Sequence, residues 1–223
     1  MKRCQNQVTV THDGTIIGAR CRHRLCPLCQ WRRTVDVFRE TVDLMTETQV
    51  IKPYRYHSLT LTVENCFYKD TKSTIKEMHK AFSRLMNYRE VKAGISGYVR
   101  MTEVSEEQNR EGYANPHMHV LICVNSGFHR SNYISAKRWS TLWRKATKNP
   151  KLTAVTNRAW KPLLSSIDGS FDLRPHEVAS SIVYGIKPYD FINKHGEIRN
   201  EIPSSKFILA MNHQLRNIAR ISS

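Results

Sequence analysis

Acidic residues are scarce in this sequence: 19 Asp and Glu stand against 35 Lys and Arg, leaving a net charge of +16 over 223 residues. A surplus of that size concentrates polyanions around the protein, so nucleic acid is the expected partner. No run of about 18 apolar residues occurs, and Met1–Val10 lacks the apolar core of a secretory signal. Neither membrane insertion nor secretion is therefore expected, and the cytoplasm is the expected compartment. Internal repeats, low-complexity tracts and a long Gly/Ser/Pro linker are also missing, which excludes a solenoid and a split into large independent domains. The 40% hydrophobic content is ordinary for a packed protein. A chain of this length builds one domain or one catalytic domain with a small appendage, and the second is expected here.

What is present is unevenly spread. Four of the six cysteines, Cys4, Cys21, Cys26 and Cys29, fall within the first 29 residues. In a reducing compartment such a cluster holds metal more often than it forms disulfides. Cys26 and Cys29 have the spacing of a zinc knuckle. A hairpin over residues 5–19, with Val8 and Val10 alternating before an Asp13–Gly14 turn and Ile16–Ile17 after it, would present Cys4 beside Cys21. Four thiolates suit structural Zn2+, and His12 or His23 in place of one cysteine stays open. Arginines crowd the cysteines, which argues against their simply packing in a core. Arg22, Arg24, Arg32 and Arg33 would instead meet DNA phosphates. Cys66 and Cys123 lie in or beside apolar strand-like runs and are read as packing residues.

The composition changes near residue 35, dividing a cysteine-rich lobe, residues 1–35, from a larger domain, residues 36–223. Val35, Phe38, Val42 and Met45 recur at helical spacing from Thr34 to about Val50. Ser58–Val63 alternates polar and apolar residues, the period of a half-buried strand. Ile75, Met78, Phe82, Leu85 and Met86 then form the buried stripe of a long helix that ends near Tyr88, before a turn at Gly94–Gly97. Tyr98–Val104 and His117–Val124 read as strands with the polar Ser105–Asn115 as the loop between them. A basic helix over Ser135–Lys148 follows, with Trp139 and Trp143 toward the core, although rings at that spacing could also stack on unpaired bases. Leu152–Trp160 reads as a strand, Pro175–Ile186 as a helix and Phe207–Ile221 as a terminal helix. The expected fold class is α+β, a central antiparallel β-sheet flanked by helices.

Two constellations could do chemistry. His117 and His119 stand two apart at the mouth of an apolar strand, so both imidazoles share one face. Paired histidines there need partners; a divalent cation uses both, and simple hydrogen bonding is the plainer alternative. Glu103 joins them if the strands on either side of the loop pair antiparallel. Two imidazoles and a carboxylate would leave open positions on Mg2+ or Mn2+ for a phosphate oxygen. The second constellation is Glu177, Tyr184 and Lys187, which share one face of the expected helix at about 3.6 residues per turn. A phenol with a pKa of about 10 is a weak nucleophile and needs a polarised phosphate and a nearby cation. The plainer alternative is a core-edge tyrosine beside a surface lysine.

Four blocks, in order, resemble the rolling-circle replication initiators of small bacterial plasmids, a branch of the HUH endonucleases. Residues 21–33 resemble the cysteine-rich N-terminal signature, and Ser58–Val63 the first strand motif. His117-Met118-His119 resembles the histidine-hydrophobic-histidine motif, and residues 184–191 the nucleophile segment. The resemblance spans residues 4–191. It implies an RRM-like palm with a small N-terminal zinc-binding lobe, in a bacterial cytoplasm. It also implies sequence-specific nicking and joining of single-stranded origin DNA, with host helicase and polymerase as partners. Tyr184 would be the nucleophile that forms a 5′-phosphotyrosine link, with His117, His119 and Glu103 on the metal and Lys187 steadying the phosphate or the metal site. One position departs from the pattern: the acid expected four residues before the tyrosine is Ser180, and Glu177 is the candidate replacement. Pro188 separates Tyr189 from the helical face, so a single nucleophile is expected. Alternatives are a mobilisation relaxase or transposase with the same chemistry, though relaxases generally place the tyrosine before the histidines, or a non-catalytic zinc-containing DNA-binding regulator.

Overall fold

The computed structural model describes residues 8–12, 16–18, 29, 32–33, 35–43, 55–128, 130–149, 155–159, 163–164, 171–172 and 204–214. Two short strands, β1 (Val8–Val10) and β2 (Ile16–Gly18), pair antiparallel as the N-terminal hairpin expected from their alternation. Residues 35–43 are helical and form α1. Arg32, in the short helical stretch before it, is buried, and its Nη1 donates to the carbonyl oxygen of Gly18 at 3.0 Å, tying that stretch to the hairpin.

The main sheet contains β3 (Arg55–Thr62), β4 (Cys66–Phe67), β5 (Ile95–Glu106), β6 (Tyr113–Val124) and β7 (Val155–Ala159). β6 is central. It pairs antiparallel with β5 on one side and with β3, then β4, on the other, while β7 pairs antiparallel with β3. A third, two-stranded sheet joins β8 (Leu163–Leu164) to β9 (Phe171–Asp172).

One face of the main sheet carries the core. Leu59 and Leu61 of β3 and Met118, Val120, Ile122 and Val124 of β6 alternate onto it and are buried. They meet α2 (Thr71–Met86), whose Met78, Ala81, Phe82 and Leu85 are buried, and α4 (Ala136–Thr147), which contributes Trp139, Leu142, Trp143 and Ala146. Both tryptophans thus pack inward, and Trp143 Nε1 donates to the carbonyl oxygen of Thr62 at 2.6 Å. Lys137, Arg138 and Lys145 of α4 lie on the exposed side. The helix starts where its cap predicts, because the Ser135 hydroxyl accepts from Arg138 N–H, and it ends at Lys148 in the left-handed conformation with φ 59°.

Two expectations need correction. The turn expected at Gly94–Gly97 is replaced by a short helix, α3 (Arg89–Gly94), running straight into β5, with an irregularity in pairing between Ile95 and Gly97. The expected loop over Ser105–Asn115 is shorter: both strands extend into it, leaving residues 107–112 as the turn. Polarity misled there, because polar side chains on one face of a half-open hairpin satisfy the period of a strand as well as that of a loop. Glu106 accepts bonds from Tyr68 Oη at 2.6 Å, Ser204 N–H at 2.6 Å and Ser204 Oγ at 2.5 Å, which fastens the sheet end to α5 (Ser205–Gln214). That helix begins two residues before its expected Phe207 start. Phe207 and Met211 are buried against Ala114, Val104 and Tyr68. No helix among the described residues is long and apolar enough to cross a membrane.

Candidate metal centre

The other face of the sheet is where the histidines lie. Along β6, residues 113, 115, 117 and 119 are half-buried, whereas 114, 116, 118 and 120 are buried. The alternation that sends Met118 and Val120 into the core therefore turns His117 and His119 to the open side. β5 and β6 form one long hairpin whose register places Glu103 opposite His117 and Met101 opposite His119. On the other flank, Thr62 of β3 pairs with His117 and Thr60 with His119. The hairpin turn closes at Gly112, whose φ of +83° favours glycine.

The three side chains converge. Glu103 Oε2 is 3.2 Å from His117 Nε2 and 3.0 Å from His119 Nε2, and one ligand atom from each residue falls within 4.8 Å of the other two. Adjacent ligands on an octahedral ion with bonds of about 2.1 Å stand about 3.0 Å apart, so these spacings fit a shared cation. His117 Nδ1 lies 3.2 Å from the Asn115 carbonyl oxygen, a contact that fixes the ring and leaves Nε2 as the ligand atom. The histidine side chains are 15% and 19% exposed and that of Glu103 38%, so the centre opens to solvent.

Electrostatics follow from this packing. Burial pushes the Glu103 carboxyl up, but the hydrogen bonds and charges of the two imidazoles outweigh it and hold the group down at about 2. Burial would lower His117, while Glu103 and the Asn115 carbonyl raise it above its ordinary value. A carboxylate facing two imidazoles is a site that a proton satisfies in part and a divalent ion satisfies for all three ligands at once.

The remaining candidates are distributed otherwise. Cys29 and Arg33 are half-buried, and Arg32 makes the buried contact with Gly18. Tyr184, Glu177, Lys187, Cys4, Cys21, Cys26, Arg22 and Arg24 lie outside the described residues, as does the helix expected over Pro175–Ile186. Three contributors were missed in the sequence. Thr60 and Thr62 flank the histidines on the open face, and their signal was the same alternation that identified Leu59 and Leu61. The Asn115 carbonyl left no signal, because any residue would supply it.

Set against known proteins, residues 16–222 match the family model described as "Replication protein". The chain belongs to the Replication protein family. This agrees with the resemblance carried by its four sequence blocks. Relatives in that family include "Protein rep" of Streptococcus pneumoniae serotype 2 (strain D39 / NCTC 7466), 31% identical over 75% of this chain and 51% of the relative. "Protein rep" of Lactiplantibacillus plantarum is 32% identical over 79% of this chain and 56% of that protein. "Protein rep" of Staphylococcus aureus is 34% identical over 60% of this chain and 59% of its own length. The chain thus spans little more than half the length of these replication proteins. No solved structure matches it significantly.

Proposed function

We propose that this protein initiates rolling-circle replication of a plasmid by nicking one strand of its origin with a tyrosine. The convergence of Glu103, His117 and His119 on the open face carries the reading. Membership in a family of replication proteins supports the initiator role, and the net charge of +16 suits a DNA substrate. Glu103, His117 and His119 would hold Mg2+ or Mn2+, which would supply Lewis-acid polarisation of the scissile phosphate.

The protein's own groups do the rest. The Tyr184 oxygen attacks phosphorus, its proton passing to solvent or a nearby base. The bond to the 3′ oxygen breaks, and that oxygen takes up a proton to become the hydroxyl that primes synthesis. The 5′ phosphate stays on Tyr184, Lys187 offsets its charge, and Glu177 accepts a proton when the strand is rejoined or released. Cys4, Cys21, Cys26 and Cys29 would hold a structural Zn2+ with four thiolates in a lobe over residues 1–35, with the endonuclease domain over residues 36–223. Arg22, Arg24 and Arg33 would belong to the DNA-binding surface, whereas Arg32, expected there too, is buried against the Gly18 carbonyl and braces the hairpin instead. Chelator-free protein should then carry about one zinc per chain, and a chain with none would remove the zinc lobe.

The decisive test incubates the full chain with single-stranded or supercoiled DNA bearing its own origin, with Mn2+ or with EDTA. A covalent protein–DNA adduct should form with Mn2+ and not with EDTA. Tyr184→Phe should abolish the adduct and leave binding intact. An adduct persisting in that variant would displace Tyr184 as nucleophile, and no adduct from the parent chain would overturn the nuclease reading.

A further inference from the structure

The open face carries a second group of side chains toward the hairpin turn. Phe67 of β4 and Tyr113 of β6 are register partners whose ring centroids lie 4.2 Å apart. The Arg110 guanidinium carbon sits 3.8 Å from the Tyr113 ring centroid, and Lys69 Nζ lies 5.7 Å from that of Phe67. Phe67 is 49% exposed, and both cations are exposed. Pairing between β5 and β6 runs without a shift from Glu106 opposite Ala114 to Met101 opposite His119. Tyr113 therefore shares the face of His117, four residues and about 14 Å away along the strand.

We propose that Phe67, Tyr113, Arg110 and Lys69 form a platform on which an unpaired base of the nicked strand stacks, holding that strand in line with the metal centre. The inference rests on the nuclease reading, since it takes the strand to be the one whose phosphate meets Glu103, His117 and His119. Aromatic faces bind bases of any identity, and a guanidinium adds both cation–π attraction and charge for the adjoining phosphates. Only an unpaired base offers its face, because in a duplex that face is already stacked on its neighbours. A cross-strand aromatic pair can also serve packing alone. What points beyond packing is the exposure of Phe67, the two cations set over the rings and the shared face with the centre.

The experiment measures binding of the full chain, in EDTA, to fluorescein-labelled oligothymidine of about 20 nucleotides and to the duplex of the same length. Phe67→Leu keeps apolar bulk against Tyr113 and removes the π face, and Arg110→Gln removes the charge. Phe67→Leu should weaken single-strand binding by about 5- to 150-fold and change duplex binding by less than about twofold. Oligothymidine carrying 5-iododeoxyuridine should crosslink to a peptide containing Phe67 or Tyr113. If the parent chain binds the single strand and Phe67→Leu binds it equally well, or loses duplex affinity to the same degree, the platform is overturned and the nuclease reading stands. If the parent chain does not bind the single strand at all, the platform is likewise overturned, while the nuclease reading stands or falls by the covalent adduct with origin DNA.

Discussion

Glu103 lies directly across the β5–β6 pairing from His117, with its Oε2 3.2 Å from His117 Nε2 and 3.0 Å from His119 Nε2. One carboxylate oxygen thus serves two imidazoles, and each of the three residues depends on the other two to form a cation site.

Removing one ligand should therefore weaken the site as a whole. His119→Ala is expected to lower Mn2+ affinity by at least about tenfold, since even groups behind the ligands are worth that much. Electron paramagnetic resonance of unbound Mn2+ during titration reads the change directly. Superimposable titrations of parent and variant would mean that His119 does not ligate.

Without metal, the same contacts make stability depend on pH. The Glu103 carboxyl is depressed from 4.5 to about 2, so its contribution is present above about 4.5 and lost as pH falls toward 2. His117 is raised above 6.5, so its contribution is full below 6.5 and lost as pH rises through the higher folded-state value. Both hold between 4.5 and 6.5. In EDTA, the difference in melting temperature between the parent chain and Glu103→Gln should be largest in that window and shrink on either side. A difference independent of pH would contradict the pairing.

Gly94 tests the junction of α3 and β5. A Cβ added there would stand 2.6 Å from Phe128 Cδ2, and the Phe128 ring is fully buried, edge-on to His57 at 5.2 Å. The ring has no room to yield, so Gly94→Ala should destabilise the fold by about 1–3 kcal/mol. Thermal unfolding would show this as a drop of about 2–12 °C for a chain of this size. An unchanged or higher melting temperature would mean that the core repacks freely.

The blocks that identify the family were legible because each is short and local. Cys26 and Cys29, His117 and His119, and Tyr184 and Lys187 are separated by two or three residues, so spacing alone relates the members of each pair. The Phe67–Tyr113 stack was not legible, because its partners are 46 residues apart in sequence (113 minus 67) and belong to strands of which one has two residues. No local period marks a contact between elements so far apart.

By itself the sequence determined what repeats along the chain. Alternation in β3 and β6 set which residues face the core, and the helical stripe of α4 set Trp139 and Trp143 inward, because side-chain direction follows from backbone geometry within a few residues. Only the tertiary structure decided where β5 and β6 end, how far the turn at residues 107–112 contracts, and which side chains besides the triad share the open face. Those outcomes depend on pairing and on distant tethers such as the Ser204 bonds to Glu106, which join groups 98 residues apart.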